Sequence, residues 1–195
     1  GKAQGFDRVE SASIFCGPDA PKTWVGVYDH IFLENIEQQI KALDTPTFHF
    51  IYTTSNHSPY KIEDSLLDYD PKKVMPHVGE DLRSNKTRNK ELATYRYSDK
   101  ALFSFVDSMK KAYPDSLFII TGDHSNLFGS LNNTSLIHRD YTLRDTFCTV
   151  ALLQHPDLDS NMITTQKGTH MSLMPTIIEA IAPKGFEYYS ITPSL

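Results

Sequence analysis

Ser116-Leu117-Phe118-Ile119-Ile120-Thr121-Gly122-Asp123-His124-Ser125 is the stretch on which the rest of the chain is organised. Leu117 to Ile120 is a short, continuous apolar run rich in β-formers and closed by a turn residue. It predicts a strand buried on both faces, as in the middle of an α/β sheet. Asp123 and His124 then fall at the strand's carboxyl end, where open α/β sheets place their ligands. A carboxylate beside an imidazole suits Zn or Mn better than Ca. Neighbouring side chains of a straight strand point to opposite faces, so both reach one ion only if the chain bends, and Gly122 permits a bend. The plainer alternative is an Asp-His pair that caps the next helix.

Composition narrows the class. The chain of 195 residues is long enough for one domain with a sizeable core. No apolar run is long enough to span a membrane, and no signal peptide is legible at the start. A formal charge of −5 argues against nonspecific nucleic-acid binding. It leaves room for an anionic substrate, because one metal ion inverts the local field. Cys16 and Cys148 form no C-x-x-C pair and read as two unlinked thiols.

Working outward, Asp29 is placed to cap a helix with Ile31, Phe32, Ile36, Ile40 and Leu43 on one face, ended by Asp44-Thr45-Pro46. Thr47 to Thr54 reads as a second strand, dense in β-branched and aromatic residues. It runs into the polar turn Ser55-Asn56-His57-Ser58-Pro59-Tyr60, again a strand end carrying a histidine, while His49 reads as packed within the strand. Residues 61–85 form a long polar loop in which His77 reads as solvated. From Arg88 to Ala112 the spacing of Leu92, Tyr95, Leu102, Phe105, Val106 and Met109 predicts a helix. Beyond the Asp-His strand come a polar loop, a third strand over Thr146 to Leu153, and a last helix from about Ser172 to Ala182 with Pro175 in its first turn. Helices between strands favour a parallel sheet covered on both faces.

Four motifs in this order resemble the sulfatase branch of the alkaline phosphatase superfamily, and lipoteichoic acid synthase-like enzymes in particular. They are Thr53-Thr54-Ser55-Asn56-His57-Ser58-Pro59-Tyr60, Tyr97-Ser98-Asp99-Lys100-Ala101-Leu102, Thr121-Gly122-Asp123-His124, and the Leu173-Met174-Pro175-Thr176-Ile177 helix. The resemblance covers roughly residues 5–182. It implies an alkaline phosphatase/sulfatase-like α/β fold with a mostly parallel sheet flanked by helices. By the same likeness, residues 1–195 are the C-terminal portion of one catalytic domain, whose N-terminal half and nucleophile lie upstream.

The implied activity is metal-dependent transfer or hydrolysis of phosphate or sulfate esters, of phosphoglycerol or phosphoethanolamine type. Asp123 and His124 match metal ligands, with Zn or Mn as the cofactor, and His57 matches a histidine that binds the substrate's phosphate. His138 and His170 are the histidines left as further ligands. Relatives of this kind work outside the cytoplasm, often on a membrane anchor, on substrates that include lipid-linked esters. Such a fragment is expected to be inactive alone and to pair with a second copy through an exposed sheet. Other readings are a sulfatase proper, a non-catalytic binding module on the same fold, or a one-domain hydrolase using Thr121 or Ser125 as nucleophile.

Overall fold

The computed structural model describes residues 2–74, 79–125, 140, 142–159 and 167–195. The chain divides into two compact units, Gly1–Pro156 and Asp157–Leu195. The first opens with a 3-10 turn at Lys2–Gln4 and the short helix α1 (Ala12–Phe15), where the sequence reads as irregular. It continues with α2 (Asp29–Lys41), a 3-10 turn at Asp64–Leu66, α3 (Pro71–Val74), α4 (Glu80–Arg83) and the long α5 (Lys86–Ala112). Strand β1 (Phe118–Thr121), helix α6 (Leu143–Phe147) and strand β2 (Ala151–Gln154) complete it. The second unit holds a 3-10 turn at His170–Ser172 that leads into α7 (Leu173–Ile181), with Pro175 buried in its first turn.

The two long helices form as their spacing predicts. Asn85 caps α5 by accepting the Arg88 N–H at 3.1 Å, and Lys110 and Lys111 sit in its last turn, against the negative end of the helix dipole. Helix α2 packs on α5. Between them Val27, Phe32, Leu33, Phe105, Val106 and Met109 make the main core, with Phe15, Ile51, Phe118 and Ile120 against its edge. Phe118 and Ile120 share one face of β1, as the period of two requires. A smaller cluster joins Tyr28, Ile62 and Tyr97.

The sheet departs from the expected parallel arrangement. Among the described residues β1 pairs with β2 alone, and antiparallel, from Phe118 opposite Gln154 to Thr121 opposite Ala151. Strand β1 is half-buried rather than covered on both sides, with Phe118 and Ile120 against the core and Thr121 exposed. The expected strand at Thr47–Thr54 is absent. Its composition suits a strand, but a strand exists only with a ladder partner, and none pairs with it among the described residues. Phe48, Phe50 and Tyr52 are exposed, and so is His49, whose ring meets Thr47 Oγ1 at 2.6 Å rather than a packed core. The expected strand over Thr146 to Leu153 is divided. Asp145 Oδ2 accepts from both the backbone N–H and the hydroxyl of Thr142, at 2.8 and 2.7 Å. That pairing starts α6, and the strand begins only at Ala151.

Tyr97, the residue that opens the second motif, is buried where α2 and α5 meet. Its hydroxyl accepts the His30 N–H at 3.3 Å and lies 2.6 Å from His30 Nδ1. Burial pushes the phenol up to about 12; the His30 N–H opposes this and the nearby Asp29 carboxylate adds to it. A raised native pKa means the folded state holds the proton more tightly. The contribution is therefore fully present below about pH 10, the ordinary tyrosine value, and is lost as the pH rises towards 12. Its size is on the order of 2 kcal/mol. Urea midpoints measured between about pH 9 and about pH 12 should fall more steeply in the parent than in Tyr97→Phe. Parallel curves would show that Tyr97 carries no such linkage.

Candidate functional site

The end of β1 is built as a shelf. Thr121 Oγ1 donates to Val150 O at 2.9 Å, Ser125 N donates to Thr146 O at 3.1 Å, and the Ser125 hydroxyl donates to Asp145 O. The end of β1 and the turn after it are thereby tied to α6 and to the residue before β2. Gly122 serves this closeness. Its backbone is not in the left-handed region, but a Cβ there would stand 2.5 Å from Thr149 Oγ1 and force that hydroxyl aside.

On the shelf, Asp123 and His124 turn their side chains towards each other. His124 Nδ1 lies 2.8 Å from Ser125 O. A carbonyl only accepts, so Nδ1 carries the proton and the Nε2 lone pair is left outward. That Nε2 stands 3.7 Å from Asp123 Oδ2, with the two side chains 65% and 55% exposed. The separation is too long for a hydrogen bond. It is close to the roughly 3.4 Å that separates two ligands on one tetrahedral cation with bonds of about 2.1 Å. The other carboxylate oxygen accepts the His124 N–H at 2.9 Å, and Tyr52 Oη donates to Oδ2 at 3.1 Å. Partial burial works to raise the Asp123 carboxyl. The His124 N–H and the Tyr52 hydroxyl lead the groups that outweigh it and hold the carboxyl below the usual carboxylate range. A pre-ionised carboxylate is the form a divalent cation needs.

His57 is prepared the same way. Its Nδ1 meets Ser58 O at 2.7 Å, so this ring too presents Nε2 outward. The turn is closed by His57 N to Thr54 O and Tyr60 N to His57 O, both 3.1 Å. Trp24, 69% exposed, donates from Nε1 to Ser58 O at 3.1 Å and stands edge-on to the His57 ring at 5.3 Å and 80°. The segment carrying His57 is joined to the Asp123 shelf through Tyr52, five residues before the histidine.

Asp123 and His124 lie side by side, and the bond between the segment that carries His57 and this pair is that of Tyr52 to Asp123, five residues before the histidine. Among the described residues no group of three or more His, Cys, Asp or Glu side chains clusters as a metal site. His170 opens the 3-10 turn before α7 in the second unit. His77 and His138 lie outside the described residues. Cys16 and Cys148 are unlinked, as expected, and burial pushes the Cys16 thiol up. Thr121 and Ser125 give their hydroxyl protons to backbone carbonyls, an arrangement that does not activate a nucleophile.

Residues 1–182 match the sulfatase family. The chain belongs to that family. It is also similar to the lipoteichoic acid synthase-like protein YvgJ of Bacillus subtilis (strain 168), with 30% identity over 125 residues, 62% of this chain. The match covers 18% of YvgJ's length, so the chain spans less than a fifth of that relative. Both findings support the α/β class and place this sulfatase-family chain in the alkaline phosphatase superfamily, among proteins that transfer or hydrolyse esters in general. No helix among the described residues is long and apolar enough to cross a membrane.

Sequence reasoning gave Tyr52 and Trp24 no part in the site and read Asp29 only as a helix cap. Tyr52 was hidden among strand-forming aromatics, and its partner Asp123 is 71 residues away. The one available signal was the position of Tyr52, which directly precedes the Thr53–Tyr60 motif.

Proposed function

We propose that this chain supplies the metal-binding and phosphate-binding part of an enzyme that transfers phosphate esters, of phosphoglycerol or phosphoethanolamine type, in the cell envelope. The observation that carries the reading is the outward pair of Asp123 Oδ2 and His124 Nε2, 3.7 Å apart, with the second imidazole nitrogen fixed by Ser125 O. Asp123 and His124 would hold zinc or manganese, and such a cation supplies Lewis-acid polarisation of the group in transfer. Two protein ligands make a weak site that needs further ligands to complete it. The resemblance to lipoteichoic acid synthase-like enzymes implies a nucleophile outside this sequence, and Thr121 and Ser125, engaged with the backbone, do not offer one in its place. Similarity to YvgJ supports an extracytoplasmic setting on a membrane-anchored whole protein.

His57 has a definite part. With Nδ1–H spent on Ser58 O, Nε2 donates to a phosphate oxygen only when the ring is protonated. The bond is then charge-assisted. Titrating the zinc-loaded chain with inorganic phosphate, followed by the His57 Hε1 resonance, should give a saturable shift. Shifts confined to other histidines would overturn the assignment.

The competing reading is a binding module that keeps the fold without turnover. It is favoured by the lack of a third ligand among the described residues. Phosphodiester hydrolysis by the 195 residues alone would exclude that module, and would equally contradict a nucleophile outside this sequence.

A further inference from the structure

We infer that Asp29 is the positioning residue for His57, acting through the backbone of the turn that carries the histidine. The inference rests on the reading of His57 as the phosphate contact, and its test separates the two.

Asp29 is the first residue of α2 and is 1% exposed. An aspartate at a helix start ordinarily caps its own helix. This one does not. Its Oδ1 accepts from Thr54 N at 3.1 Å and from Ser55 N at 3.0 Å, groups 25 and 26 residues further along the chain. Its Oδ2 accepts from Ser98 Oγ of α5 at 3.0 Å. Its own N–H donates to Ser55 Oγ at 3.0 Å. Both long helices and the start of the turn therefore meet at one buried carboxylate. Burying a carboxylate is costly unless its oxygens are well provided with donors, and here three donors from two other segments converge on it.

The link to His57 is short. Asp29 fixes the amides of Thr54 and Ser55, and Thr54 O receives the His57 N–H at 3.1 Å. The turn is not in a conformation it would choose alone. Tyr60 sits at φ 58°, in the left-handed region that a bulky side chain avoids. Its ring lies edge-on against Tyr95 of α5 at 6.1 Å, and Trp24 closes the outer side through Ser58 O. Such a turn keeps its shape only while its surroundings hold it, and Asp29 is the buried part of that hold.

Trp24 is the sole tryptophan in the chain, which gives a direct readout. An imidazole ring in contact with indole alters its emission. Trp24 emission in the parent should therefore differ by a definite step from that of His57→Gln, which removes the edge-on ring. Asp29→Ala should abolish the step and weaken inorganic phosphate binding by roughly tenfold. Asp29→Asn keeps an acceptor oxygen for the two amides and should restore both. A full step with parental phosphate affinity in Asp29→Ala would overturn the inference. So would a parent without a His57-dependent step. If circular dichroism shows Asp29→Ala unfolded, Ser55→Ala, which cuts one bond between Asp29 and the turn, is read instead. A reduced step supports the inference and an undiminished one refutes it. A parent that shows the step but binds no phosphate defeats the phosphate reading, while the response to Asp29 substitution still decides the positioning role.

Discussion

Asp123→Ala should weaken divalent-metal binding by at least about tenfold in a calorimetric titration with zinc. The parent offers Oδ2 and His124 Nε2 at 3.7 Å, and the variant leaves the imidazole alone. One neutral ligand on a surface shelf does not displace enough of the cation's hydration, and the lost carboxylate is the only negative charge of the pair. The fold should survive, because the Asp123 side chain is more than half exposed and the shelf is held by Thr121, Ser125 and the backbone near Thr146. Tyr52 loses its acceptor in the variant, and its phenol should drop back from the raised value that the Asp123 hydrogen bond gives it. Equal zinc affinity in parent and variant would remove Asp123 from the metal site.

Leu33→Ala should destabilise the chain by about 3 kcal/mol, within the range of roughly 2–5 kcal/mol for truncating a buried leucine. Leu33 is 2% exposed and packs among Phe32, Phe105, Val106 and Met109 where α2 meets α5. The removed methyl groups lose their transfer free energy, and two rigid helices cannot close the gap left behind. Against a total of about 5–15 kcal/mol for a domain this is a large fraction. Urea unfolding should show a lower midpoint with an unchanged slope. A midpoint within experimental error of the parent would mean that the α2–α5 seam is not the stabilising core.

Helices α2, α5 and α7 were legible because each carries its own signal, whereas α1, α6, and α3 and α4 in the stretch 61–85 expected to be loop, are too short to show a period. The periodic apolar residues of 29–41 and 86–112, and Pro175 at the start of the last helix, need no distant partner to be read. Strands do need one. Thr47–Thr54 has the composition of a strand and forms none, while Thr146–Leu153 hid the Thr142–Asp145 capping pair that turns its first part into helix. Leu33 was missed from the apolar face of α2 because Ile31, Phe32, Ile36 and Ile40 already satisfied the spacing.

The site divides along the same line. Asp123, His124 and His57 stood out because their types and local neighbours speak of chemistry. Asp29 looked like a cap because its partners, Thr54 and Ser55, become neighbours only when the chain folds. Gly122 was read as a hinge, and its real constraint, the close approach of Thr149, is likewise a tertiary contact.

The central claim is that Asp123 and His124 hold a divalent cation beside the turn that carries His57. Adding substoichiometric manganese to the parent chain and following the paramagnetic broadening of histidine and tyrosine resonances tests it most directly. Broadening strongest at His124, and next at Tyr52 and His57, with all three sharp again in Asp123→Ala, is the expected pattern. Broadening centred on other residues, or a His57 signal left sharp while His124 disappears, would contradict it.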